Sequence, residues 1–146
     1  MWILLALGAA ILWGVSYAAR GRVIECGMSP VIFFFCYAVF ATAMAAVVLL
    51  ANGEMASVPR AVDRLGKDRI WLLVSVVTAA VGGLFIFLAI GQKNATLAAL
   101  VEISYPFFVA LFVWAFFRET QLDPVTLFGG LLIACGVFTV FVANRD

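Results

Sequence analysis

The sequence predicts an all-α integral membrane protein with five transmembrane helices, half of a ten-helix inverted-repeat assembly. Of its 146 residues 66% are hydrophobic and 12% charged, and the mean hydropathy is +1.18. That leaves too little polar surface to cover a soluble globule. The apolar residues gather into five runs, at 2–19, 31–51, 70–92, 95–117 and 125–143, each of about the length that crosses a hydrocarbon core of roughly 30 Å. The runs are continuous, unlike the alternating segments of about ten residues that build a membrane β-barrel.

The first run ends at Arg20-Gly21-Arg22. It has no Lys or Arg ahead of its apolar stretch and is longer than a usual signal core, so it reads as a retained span. Ala6, Ala10, Trp13, Gly14 and Tyr17 share one of its faces. They pair a small-residue groove with two aromatic groups able to stack on or hydrogen-bond to a ligand; an interfacial aromatic belt is the other reading of Trp13 and Tyr17. Ser29-Pro30 opens the second run. The connection 52–69 holds Glu54, Arg60, Asp63, Arg64, Lys67, Asp68 and Arg69 and reads as a solvated loop at the headgroups. In the third run Ser75, Thr78, Gly82 and Ala89 share a face, and Gln92-Lys93-Asn94 forms a tight hairpin to the fourth. Asp123-Pro124 opens the fifth, where Gly129 and Gly136 lie on one face. Gly14, Gly82, Gly129 and Gly136 read as sites of close helix packing or dimer contact. Residues 1–146 read as a single transmembrane domain with no internal repeat.

Glu102 stands alone as a charge inside these runs, in Leu100-Val101-Glu102-Ile103-Ser104-Tyr105-Pro106. A carboxylate at the bilayer centre costs on the order of 3 kcal/mol, so such residues face a bundle interior or a wet cavity. On a continuous helix it shares a side with Ala95, Ala98, Ala99, Tyr105, Pro106 and Val109, opposite Leu97, Leu100, Phe107, Leu111 and Trp114. Small residues admit neighbouring backbones and bulky ones suit lipid, so Glu102 points into the bundle. Pro106 has no N–H, which leaves the Glu102 carbonyl without its helical donor. One turn then offers a carboxyl group, a backbone acceptor and the Tyr105 hydroxyl. Glu102, Tyr105, Pro106, Trp13 and Tyr17 are the candidate substrate- or proton-binding residues; a packing kink with Glu102 bonded to a neighbouring helix is the plainer alternative.

Other chemistries find little support. The chain has no His, which removes a His-based zinc site or catalytic triad. Cys26, Cys36 and Cys135 match no metal spacing and read as small apolar filler. No nucleophile–base pair or phosphate-binding Gly-rich turn occurs, so neither an enzyme nor a metal or other cofactor is expected. A net charge of +1 offers no surface to a nucleic acid. The expected partners are the lipid bilayer, a small-molecule metabolite or drug, and a second copy or homologous five-helix subunit.

That second subunit follows from charge. Five spans put Arg60, Arg64, Lys67, Arg69 and Arg118 on one side and Arg20, Arg22, Lys93 and Arg145 on the other. Orientation follows a clear cytoplasmic excess of Lys and Arg, and five against four is hardly one. In one reading the four basic residues of the 52–69 connection anchor a single orientation with the N-terminus inside; in the other, copies inserted in opposite senses form the inverted-repeat pair that exposes one midplane site alternately to each face.

Trp13-Gly14-Val15-Ser16-Tyr17, Ser29-Pro30, Ala89, Pro106, Arg118-Glu119 and Gly129-Gly130-Leu131-Leu132-Ile133-Ala134-Cys135-Gly136, in this order, resemble the EamA-type repeat of the drug/metabolite transporter superfamily over nearly the whole chain. The resemblance implies a five-helix repeat, usually found twice per chain in inverted orientation, that moves amino acids, nucleosides, drugs or other small metabolites, often outward. Many such repeats carry an Arg about seven residues after the Pro of the second span, where this chain has Tyr37; a buried Arg partner for Glu102 is therefore not assumed. The expected function is a small-molecule secondary transporter in the cell membrane, of bacterial or archaeal inner-membrane type, working as an antiparallel homodimer. Desolvation favours the neutral acid of Glu102, which can exchange its proton with a cationic substrate or, staying protonated, only bind substrate in a facilitated carrier. The alternative is a non-transporting accessory membrane subunit of a larger complex.

Overall fold

A computed structural model describes residues 1–120 and 123–144, the Thr126 side chain excepted, and among these the regular structure is helical with no strand. In chain order the helices are α1 (Trp2–Glu25), α2 (Pro30–Ala51), α3 (Val58–Arg64), α4 (Arg69–Gln92), α5 (Ala95–Glu102), α6 (Tyr105–Phe117) and α7 (Pro124–Ala143). Trp2–Glu25, Pro30–Ala51, Gly66–Gln92 and Ala95–Phe117 are each long and apolar enough to cross a membrane, and Leu127–Ala143 is a shorter apolar helix. The protein is a multi-pass membrane protein. Its contacts divide it into two compact units, Met1–Gly21 with Lys93–Asp146, and Arg22–Gln92.

The unit Arg22–Gln92 is held by an aromatic seam between α2 and α4. Ser29 is extended and Pro30 occupies the first turn of α2, where a missing N–H costs nothing. One stripe of α2 then presents Pro30, Phe33, Phe34 and Tyr37 at helical spacing. They meet Phe87 of α4, which is 1% exposed, with ring centroids 5.4, 5.6 and 5.8 Å from it for Phe33, Phe34 and Tyr37. Gly83 and Gly91 flank Phe87 on the same stripe and let the helices close. A Cβ on Gly83 would stand 3.3 Å from Phe34, and one on Gly91 only 2.7 Å from Pro30 Cγ. The polar stripe Ser75, Thr78, Gly82, Ala89 is exposed instead, with Thr78 Oγ1 donating back to Val74 O at 2.7 Å.

The connection 52–69 is not a plain loop. It contains α3 and two 3₁₀ turns, Met55–Ser57 and Gly66–Asp68. At 100° per residue Val58, Ala61, Val62 and Leu65 fall in one arc of α3, with Arg60, Asp63 and Arg64 opposite. Three of the charges expected at the headgroups, Arg60, Asp63 and Arg64, are thus carried on one side of a short amphipathic helix, and Asp63 pairs with Arg69 at 3.6 Å.

In the other unit, two expected boundaries shift. Arg20-Gly21-Arg22 does not end the first span, because α1 continues to Glu25. The span 95–117 is not one helix, because α5 stops at Glu102 and α6 starts at Tyr105 with Pro106 in its first turn. Proline has no N–H to continue the ladder and its ring crowds the carbonyl four residues earlier. The chain steps around it through Ile103 and Ser104. Asn94 opens α5 as an N-cap, its Oδ1 accepting from Leu97 N–H at 2.8 Å. Both α5 and α6 pack on α7.

The four glycines expected at close contacts, Gly14, Gly82, Gly129 and Gly136, have nothing within 4 Å of an added Cβ. Gly21, Gly83 and Gly91 hold the tight approaches within the chain. Gly91→Ala should therefore lower the thermal midpoint of the detergent-solubilised protein, by a destabilisation of about 1–3 kcal/mol. Gly82→Ala should stay within about 0.5 kcal/mol of wild type.

Candidate substrate and proton site

The continuation of α1 places three of its residues, Trp13, Tyr17 and Arg20, on one stripe at i, i+4 and i+7. Gly21 follows on the flank of that stripe, and a Cβ there would stand 3.1 Å from that of Ala95 at the head of α5. This close approach brings the stripe alongside the small face of α5, where Ala95 and Ala98 are buried. One turn beyond Ala98, Glu102 accepts a hydrogen bond from the Tyr17 hydroxyl. The two contacts run in opposite chain directions on α1 and α5, so the helices are antiparallel here.

Arg20 completes the cluster. It is 2% exposed and is the buried charged residue among the described positions. Its guanidinium lies 5.3 Å from the Trp13 ring centroid and 4.9 Å from that of Tyr17, and the two rings are 6.2 Å apart. Guanidinium over an aromatic face contributes about 1–2 kcal/mol when desolvated. One phenol therefore meets a cation at its ring face and a carboxyl group at its hydroxyl.

Sequence reasoning had Glu102 as the lone charge within the spans, and Arg20 corrects that. The residue was read as a flanking charge because it sits in Arg20-Gly21-Arg22, which looks like a span terminus. The signal that could have found it was the i, i+3 and i, i+7 spacing to Tyr17 and Trp13. Tyr37, the position where related repeats often carry Arg, belongs to the α2–α4 seam.

Trp13, Tyr17 and Glu102 are brought together; Tyr105 and Pro106 are not joined to them. Tyr105 is 61% exposed, because the break at Ile103–Ser104 interrupts the face it would have shared with Glu102 on a straight helix. Pro106 instead lines a shallow apolar cleft with Ile103, Ser104 and Phe107 against Gly130, Ile133 and Ala134 of α7. Leu100, Phe107, Leu111 and Trp114 are exposed, as suits a lipid-facing side.

The cluster thus joins a buried guanidinium and a buried phenol to a half-exposed indole ring and a part-buried carboxyl group. The profile of the EamA-like transporter family matches residues 1–142, and the chain belongs to that family. It is thereby a member of the drug/metabolite transporter superfamily, a class of small-molecule carriers and not of enzymes. Neither the curated proteins nor the solved structures returned a match.

The Tyr17–Glu102 bond ties α1 to α5, so Tyr17→Phe should destabilise the protein by about 1–3 kcal/mol in thermal unfolding. In a Glu102→Ala background the same change should cost clearly less, since the hydroxyl has already lost its acceptor.

Proposed function

We propose that the chain is a small-molecule secondary transporter of the drug/metabolite exporter type, that its working unit is ten helices from two five-helix chains in opposite orientation, and that Glu102 carries the coupling proton. The observation that supports it most is the hydrogen bond from Tyr17 to Glu102 within the bundle of an EamA-like protein. A carboxyl group held there by one neutral donor can gain or lose a proton without dismantling the helix packing. Trp13, half exposed beside it, offers a ring face to a substrate. Glu102 lies seven residues into α5, about 10 Å along the helix and so roughly a third of the way across the core. In opposed protomers two such groups approach the midplane from opposite faces, as alternating access through an inverted pair requires.

Gly14, Gly82, Gly129 and Gly136, open on their Cβ side, are suited to a second chain. That chain is a second copy or a homologous subunit. Burial of Arg20 bears on the choice. Without it the basic residues outside the helix packing stand at Arg60, Arg64, Lys67, Arg69 and Arg118 against Arg22, Lys93 and Arg145, the last lying outside the described residues. The bias is larger than the sequence count suggested, and the homodimer needs it to be overcome in half of the copies.

Paired cytoplasmic and periplasmic reporters fused to the C-terminus should both be active if one gene product supplies both orientations. Activity of a single reporter would replace the homodimer with a heterodimer. Glu102→Gln should abolish proton-coupled flux in proteoliposomes while leaving the elution profile of the purified protein unchanged. Coupled flux that survives this change would make Glu102 a structural residue.

A further inference from the structure

The segment between α2 and α4 carries features that neither the helix packing nor the candidate site uses. Gly53, just past α2, and Gly66, just past α3, both adopt left-handed backbone, at φ 69° and 54°, which glycine takes without strain. Each stops the helix before it, and the Glu54 N–H bonds back to Leu49 O at 2.9 Å as the chain turns away from α2. The element α3 therefore extends neither span. It is joined at one end to Pro30–Ala51 and at the other to the apolar helix Gly66–Gln92. Two membrane-crossing helices thus hold it at the surface where they emerge.

Val58, Ala61, Val62 and Leu65 cover an arc of about 100° on this tethered helix. Met55, in the 3₁₀ turn ahead of it, adds another apolar side chain. Met55, Val58 and Leu65 are 40, 39 and 39% exposed and Ala61 is exposed as well, so the described residues leave most of this face uncovered. Arg60 and Arg64 stand one turn apart on the other side, and Lys67 follows beyond Gly66. Asp63 engages Arg69, whereas Arg60, Arg64 and Lys67 are exposed and make no ion pair among the described residues. The remaining acids, Glu54 and Asp68, lie at the two ends of the segment, and Asp68 stands directly ahead of α4, where the helix dipole favours a negative charge. Trp71, in the first turn of α4 and 38% exposed, is the kind of side chain that settles at headgroup level.

We propose that residues 55–67 form an interfacial lipid-binding element, in which α3 lies along the membrane surface with Val58, Ala61, Val62 and Leu65 in the acyl boundary, and Arg60, Arg64 and Lys67 bind the phosphate groups of anionic phospholipids. The bilayer is the occupant because the chain is fixed to it on both sides of α3 and because three unpaired cations complement lipid phosphate. The long stems of Arg and Lys reach round the helix to the headgroups while the apolar arc stays below them. This inference goes beyond the transporter reading and does not depend on it. Its consequence is that an anionic leaflet pins the end of α2 and the start of α4.

The test uses the full chain with Cys26, Cys36 and Cys135 changed to Ser, one nitroxide label attached through Ala61→Cys or Arg60→Cys, and vesicles of phosphatidylcholine and phosphatidylglycerol. The label at 61 should collide with dissolved oxygen in preference to a water-soluble nickel chelate, and the label at 60 should show the opposite preference. Equal access of the chelate to both labels would restore a solvated loop, and shielding of the label at 61 from both reagents would put a protein in the place of lipid; either result overturns the inference. In mixed micelles phosphatidylglycerol should raise the thermal midpoint of the purified chain, and Arg60→Gln/Arg64→Gln/Lys67→Gln should raise the lipid fraction needed for half of that shift at least about tenfold. The absence of a shift, an equal response from the variant, or an equal shift with phosphatidylcholine or inorganic phosphate would each overturn the headgroup contacts. The labelling result stands even where the triple variant does not fold.

Discussion

The hydrogen bond between the Tyr17 hydroxyl and the Glu102 carboxyl joins α1 to α5, and much of the bundle around it follows from the need to make it. A carboxyl group in hydrocarbon must find a donor, and the helices at this depth offer few. Tyr17 reaches it because Gly21 and Ala95 let the backbones of α1 and α5 approach closely. The same approach buries Arg20, whose guanidinium lies over the faces of Trp13 and Tyr17. A single small-residue contact thus brings two ionisable groups into one setting.

Proline and glycine shape the rest by what they lack. Pro106 cannot donate to the ladder, and the chain ends α5 at Glu102 and restarts as α6. That leaves Glu102 on the last turn of α5, where α1 can reach it, and turns Tyr105 away. In the unit Arg22–Gln92, Gly83 and Gly91 lack a Cβ where Phe34 and Pro30 press closest. Phe87 can therefore sit among three aromatic rings. Few other side chains are buried, which suits helices whose remaining faces meet lipid or a second chain.

The class, the family and the principal apolar helices were legible in the sequence because they rest on strong local signals. Runs of apolar residues define spans by length alone, and Ser29-Pro30, Asn94 and Asp123-Pro124 mark helix starts through backbone chemistry that acts over a few residues. The end of α1 was misread because Arg20, Gly21 and Arg22 together imitate a boundary, and only packing distinguishes a buried Arg from a flanking one. The helix of the 52–69 segment was missed because it is short and highly charged, so its amphipathic period covers barely two turns.

The sequence by itself determined an all-helical membrane protein of the EamA-like family and picked out Glu102, because the cost of a charge in hydrocarbon does not depend on its neighbours. The company Glu102 keeps was decided by the tertiary structure. Tyr17 and Glu102 are 85 residues apart in the chain, and no local rule connects them. The place of Arg20 beside that pair is likewise a matter of which helix faces meet.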